Sequence, residues 1–170
     1  NRMNYLLENT FFQDCYNSLA DCSIDDSDKN NIVKMVNESF EYAGDQVINF
    51  DSVKTKLCRQ FNKSNEVFKS ADCLIYNHNN GKYVIVEFKN GKVTNVKEKL
   101  KDSLHILNDI LGKNLDFCRS ECEYIVVYNY EKNRCYVNQE IKKEYKDGAI
   151  EEGYKEFFDT IFKLAEKEIY

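Results

Sequence analysis

The sequence predicts an α/β fold, a mixed central sheet of about four strands flanked by helices. Three observations predict it. Two apolar runs, 72–77 and 82–89, flank "NHNNG", whose Asn-Gly is a strong hairpin signal. A helical stripe follows at Val96, Leu100, Leu104, Leu107 and Leu111, closed by Gly112. The apolar run "CEYIVVYNY" (122–130) then returns the chain to the sheet, and a helix between two strands is the connection that a parallel pair needs.

In chain order, residues 4–20 carry apolar side chains at 5, 6, 11, 12, 16 and 19, a helical pattern. The acidic loop 21–31 precedes a second expected helix, 31–44, with apolar positions 32, 35, 36, 40 and 43 and Gly44 at its end. "QVINF" reads as a short strand, and 51–70 as helix, then loop. The hairpin comes next, then a helix over 93–112, the strand 122–130 and a weaker strand at 134–138. The last stretch, from Gly148, is expected to be an amphipathic helix with Phe157, Ile161, Phe162 and Leu164 among its apolar positions.

The 170 residues, 42 % apolar with twelve Tyr and eleven Phe, suit one domain over 1–170 with a packed core. Proline is absent and Gly numbers six, which excludes collagenous and linker-rich organisation. Twenty-four Lys and Arg against 29 Asp and Glu give a net charge of -5, which weighs against coating nucleic acid by bulk charge. Seven cysteines with no C-x-x-C pair, and two histidines, read as reduced thiols in a cytoplasmic protein rather than a zinc site. No apolar run reaches the roughly 18–20 residues of a membrane helix, and the N-terminus lacks a signal-peptide core. Asn1-Arg2 ahead of Met3 suggests a piece of a longer protein.

The chemistry gathers at 72, 87 and 89. Along "YVIVEFK", alternation sends Tyr83, Ile85, Glu87 and Lys89 to one face and Val84, Val86 and Phe88 to the other. A two-residue turn at Asn80-Gly81 sets Asp72 across from Lys89. A four-residue connection over 78–81 sets it across from Glu87, and a three-residue loop sends it to the wrong face. In the first two registers, two carboxylates share one face and repel unless a cation lies between them or one is protonated. Hard oxygen ligands on a rigid sheet suit Mg²⁺ or Mn²⁺, and a lysine on the same face can orient or deprotonate an attacking water. The competing reading is a salt bridge at the strand end, from Lys89 to Glu87 or Asp72.

Asp72, fourteen intervening residues and then Glu87-Phe88-Lys89 resemble the PD-(D/E)xK nuclease superfamily, with residues 70–112 the most similar portion and Ala71 where the family has its proline. Glu140-Ile141-Lys142 and Glu144-Tyr145-Lys146 share the tripeptide but lie in a charged stretch that reads as a solvated face. The resemblance implies a restriction-endonuclease-like core and a metal-dependent nuclease acting on DNA, with RNA the other substrate. It implies Asp72, Glu87 and the Phe88 carbonyl as ligands of Mg²⁺ or Mn²⁺, Lys89 as the catalytic lysine and Lys101 as a substrate contact. Lys97, Lys101 and His105 form one stripe of the following helix. Glu38, Glu41 and Glu66 gain no role. A homodimer or helper subunit would supply the nucleic-acid affinity that the acidic chain lacks. Two alternatives accompany this reading: an inactive nuclease-like fold used for protein interaction, and a toxin-like nuclease effector domain.

Overall fold

A computed structural model describes residues 9–39, 43–77, 81–92, 96–129, 132 and 162–168. Its main sheet has six strands: β1 (Tyr16–Ser18), β4 (Gln46–Asn49), β5 (Cys73–Asn77), β6 (Lys82–Lys89), β7 (Cys122–Asn129) and β8 (Phe162–Glu168), in that spatial order. All neighbours are antiparallel except β6 and β7, which run parallel. Strands β2 (Ile24–Asp25) and β3 (Val33–Lys34) make a separate two-stranded ribbon. The helices are α1 (Leu19–Cys22), α2 (Phe50–Gln60), α3 (Val96–Leu111) and α4 (Leu115–Glu121). The expected α/β class with a mixed sheet and flanking helices holds, with six strands rather than four.

The sheet buries both faces, as alternation along β6 demands. Ile48, Leu74, Tyr83, Ile85, Tyr124 and Val126 pack with Phe50, Val53 and Leu57 of α2, Leu100 and Leu107 of α3 and Phe117 of α4. On the other face, Val47, Ile75, Val84, Val86, Ile125 and Val127 meet Leu19, Met35 and Val36. The parallel β6–β7 pair is bridged by α3, which Gly112 ends at φ 62° while the Lys113 N–H donates to the Asn108 carbonyl at 2.9 Å. Asn49 caps α2 by accepting from the Ser52 N–H at 3.2 Å.

Three expected helices are corrected. Within 4–20, the described part is a 3-10 turn at Thr10–Phe12, then β1 and the one-turn α1. Phe12 and Leu19, which a helix would place on one stripe, bury on opposite sides of the sheet. Residues 31–39 form no helix. The Met35 N–H donates to the Ser23 carbonyl and the Val36 N–H to the Ser23 hydroxyl, so Met35 and Val36 enter the core from a chain tied to its neighbour. Residues 162–168 form β8 rather than helix, pairing from Phe162↔Asn129 to Glu168↔Glu123 and covering an edge that β7 would otherwise leave open. The expected strand 134–138, residues 1–8, residues 40–42 of the second expected helix and residues 148–161 of the last one, with Phe157 and Ile161, lie outside the described residues. Two elements have no counterpart in the sequence reading: β2, within the expected acidic loop, and α4, capped by Asn114, whose side chain accepts from the Asp116 N–H.

Candidate active site

Asn77 pairs with Lys82, so the hairpin takes the register of a four-residue connection, and the pairs run as far as Cys73 opposite Val86. Past the last pair the regular register ends: the Asp72 N–H donates to the Val86 carbonyl at 3.0 Å, so Asp72 and Cys73 both stand against Val86 as in a β-bulge, and the Phe50 N–H donates to the Asp72 carbonyl at 3.0 Å. The Phe88 N–H donates to Asp72 Oδ2 at 2.6 Å. The aspartate carboxylate is thereby pinned to the strand that carries the other acid. Helix α3 holds the approach to Asp72: Ser103 Oγ accepts from the Ala71 N–H and Asp102 Oδ2 from the Lys69 N–H, both at 2.9 Å.

Glu87 is 1 % exposed. Its Oε1 lies 2.6 Å from Lys99 Nζ and 3.8 Å from Lys89 Nζ. Its Oε2 is buried with no hydrogen-bond partner among the described residues. A buried carboxylate oxygen left unsatisfied is costly, and such groups call for an ion, a water or a proton. Burial, then the Asp72 charge, pushes Glu87 up to about 7, against the pull of Lys99 and Lys89. Burial likewise raises Asp72 to about 6, opposed by the Phe88 N–H and by both lysines. Burial and then Lys99 lower the Lys89 ammonium, with Glu87 acting the other way. Burial also pulls Lys99 down, but the Glu87 charge and hydrogen bond, with Asp72, outweigh it and the net shift is upward.

These groups line a cleft of about 300 Å³, bounded by Asp72, Glu87, Phe88, Lys89 and Lys99 on the sheet side and by Cys22, Asp25 and Ser27 before and on the small ribbon. Asn90 Nδ2 donates to Asp25 Oδ2 at 2.9 Å, which ties the ribbon to the end of β6. A second recess, about 610 Å³, shares Cys22, Asp72 and Lys99 with the first. Burial, then Asp72 and Asp21, push Cys22 up to about 12, so at neutral pH it is a thiol and not a nucleophile.

Of the residues picked from sequence, Asp72, Glu87, Phe88 and Lys89 come together at this cleft. Lys101 and His105 lie on the exposed side of α3, and Lys101 does not line the cleft. The residue that sequence reasoning misses is Lys99. Its signal is present: it falls three residues after Val96 and four before Ser103, on the stripe whose other members are buried, where an ammonium needs a partner.

Among the described residues no three His, Cys, Asp or Glu side chains converge as a ready cage. A cation held by Asp72 and Glu87 would therefore complete its shell with backbone carbonyl, water and substrate oxygens, as Mg²⁺ and Mn²⁺ commonly do. The orphaned Glu87 Oε2 beside a second raised carboxyl fits such an ion. No helix of the described residues is long and apolar enough to cross a membrane. No protein-family model, curated protein or solved structure matches this chain.

Proposed function

We propose that this chain is a Mg²⁺- or Mn²⁺-dependent nuclease of the PD-(D/E)xK type, hydrolysing phosphodiester bonds of DNA, with RNA the other substrate class. The carrying observation is the buried Glu87 Oε2, without a hydrogen-bond partner among the described residues and in a cleft that Asp72 also lines. Asp72 and Glu87 would hold the ion, with the Phe88 carbonyl as a further ligand. Bound there, the metal supplies Lewis-acid polarisation of a phosphate oxygen and lowers the pKa of a ligated water.

The chain's own groups do the rest. The Phe88 N–H orients Asp72, and the β5–β6 ladder keeps both acids at one end of a rigid sheet. Lys89, partly buried and with its ammonium lowered, is suited to orient the attacking water and to offset charge on the phosphorane-like transition state. Lys89, Lys92 and Lys99 line the cleft beside Asp25, Asp72 and Glu87, so a divalent cation bound to the acids would leave the cleft net positive and draw a phosphate toward it. A homodimer or helper subunit would add the affinity that a net charge of -5 withholds.

The test is cleavage of plasmid DNA and of tRNA with Mg²⁺, Mn²⁺ or EDTA by wild type, Lys89→Ala and Glu87→Gln. Metal-dependent cleavage lost in both variants supports the reading, and cleavage indifferent to EDTA rejects the mechanism. The 2.6 Å Lys99–Glu87 pair favours a second reading, a nuclease-like fold in which a salt bridge has replaced the ion and the domain serves in protein interaction. That reading expects no cleavage and no metal binding.

A further inference from the structure

Lys99 enters the cleft from α3, and among the described residues its ammonium is the nearest cation to Glu87: 2.6 Å to Oε1, against 3.8 Å for Lys89. The two ends of this pair differ in surroundings. Glu87 is 1 % exposed, whereas the Lys99 side chain keeps 24 % exposure and lines both the cleft and the adjoining recess. The carboxylate has nowhere to go, and the ammonium has two open sides. A lysine carries its charge on a flexible four-carbon stem and can withdraw without backbone movement.

A divalent ion held by Asp72 and Glu87 would sit about 2.0–2.1 Å from its oxygens if it is Mg²⁺. An ammonium at hydrogen-bond distance from the same carboxylate then faces a like charge, and repulsion at such separations in a part-buried site disfavours keeping both. Lys89 already adds a second positive charge next to Glu87. Three cations do not share one carboxylate comfortably, and the mobile one yields.

We propose that Lys99 is the site's internal counterion: its ammonium neutralises Glu87 in the metal-free chain, competes with the divalent cation for that carboxylate, and on release turns into the adjoining recess to meet a substrate phosphate. The competition follows from the carboxylate pair alone, while the phosphate contact rests on the nuclease reading above. The consequence is a coupling between ligands. A phosphate that gives Lys99 a new partner lowers the cost of displacing it, so substrate and metal strengthen each other's binding, reciprocally.

The experiment is calorimetric titration of the chain with Mn²⁺ alone, for wild type, Lys99→Met, Lys99→Gln and Lys63→Met, the last an exposed lysine of the same charge. Lys99→Met is expected to bind Mn²⁺ about tenfold more tightly than wild type, each tenfold step being about 1.4 kcal/mol. Lys99→Gln, which keeps a donor without the charge, is expected in between and carries the test if the methionine variant does not fold. Lys63→Met is expected to stay within about twofold of wild type, since a distant exposed charge is screened. Cleavage by Lys99→Met should fall in kcat/KM despite the tighter metal. Equal or weaker Mn²⁺ binding by both Lys99 variants, with metal-dependent cleavage by wild type, overturns the counterion role and leaves the nuclease reading standing. Tighter binding by the variants of a chain that cleaves nothing retains the counterion and removes the nuclease. Mn²⁺ binding by none of the four proteins overturns both.

Discussion

Lys99 Nζ stands 2.6 Å from Glu87 Oε1, closer than Lys89, which shares a strand and a face with that glutamate but lies 3.8 Å away. Along a strand, side chains two apart stand roughly side by side and perpendicular to the sheet, so their tips need not converge. A helix laid across the strand end delivers its lysine from above. The pair that holds the buried acid in the metal-free chain is therefore made by tertiary packing and not by the Glu-x-Lys tripeptide, which leaves Lys89 freer to act on a substrate.

Glu87→Gln should abolish divalent-ion binding while keeping the side chain's shape. It also leaves Lys99 without its charged partner. Removing the partner of a buried charge is costly, but burial already disfavours the ionised acid that glutamine replaces, so the two effects oppose each other and metal-free stability near pH 7 should change by no more than about 1 kcal/mol. Urea denaturation of the metal-free proteins checks the stability, and calorimetry with Mn²⁺ checks the ion. Undiminished Mn²⁺ affinity in the glutamine variant would remove Glu87 from the ligand set.

The raised carboxyls make the metal-free chain sensitive to pH in a defined direction. Asp72 and Glu87 titrate at about 6 and about 7 when folded, from ordinary values of 3.8 and 4.5. The folded state therefore holds more protons than the unfolded state across this interval, and stability contributed by these groups is present at low pH and lost as pH rises through about 7. Thermal unfolding in EDTA should show wild type losing stability relative to Glu87→Gln between about pH 4.5 and about pH 7.5. A gap that widens in favour of wild type as pH rises would contradict the assignment. Because ligating carboxyls must be deprotonated, Mn²⁺ affinity should climb over the same range.

Ser103 is fully buried, and its hydroxyl accepts from the Ala71 N–H just before Asp72. Ser103→Ala leaves that backbone donor unsatisfied and should cost about 2 kcal/mol. It should also lower cleavage more than an equally destabilising change far from the site, because the lost bond is what seats the Asp72 segment against α3. Denaturation midpoints alongside cleavage rates separate the two effects, and equal loss of activity in a matched core variant would reduce Ser103 to packing.

Lys89 and Lys101 should separate by kinetics. Lys89→Ala is expected to lower kcat by about 10²–10⁴, the usual loss for a general acid–base or charge-stabilising group, while raising Mn²⁺ affinity less than Lys99→Met does, because Lys89 stands farther from Glu87. Lys101 lies exposed on α3 outside the cleft. Any part it plays on the nucleic-acid backbone should appear as a higher KM and a shallower salt dependence at constant kcat when it is replaced by alanine. A kcat loss for Lys101→Ala as large as that for Lys89→Ala would move it into the reacting centre.

Much of the site is legible in the order of residues. Alternation through "YVIVEFK" puts Glu87 and Lys89 on one face, and the helical stripe after them identifies α3, because both patterns are local and period-bound. The hairpin is legible too, but turn chemistry leaves its register open between two alternatives, and the pairing of Asn77 with Lys82 decides between them. Short apolar spacings mislead elsewhere. Residues 31–39 and 162–168 satisfy helical periodicity, yet one is tied to Ser23 and the other pairs along β7, partners that no local window contains.

What the sequence by itself determined is the two-sided apolar strand, the acids and lysine at its end, and the helix that follows. These depend on side-chain alternation and turn chemistry within a few residues, which act before distant segments meet. Only tertiary structure decided that Asp72 and Glu87 meet at one cleft, that Lys99 rather than Lys101 reaches it, and that one glutamate oxygen is shut away without a hydrogen-bond partner among the described residues. Those outcomes depend on register and on how a helix is rotated over a sheet, and long-range packing sets both.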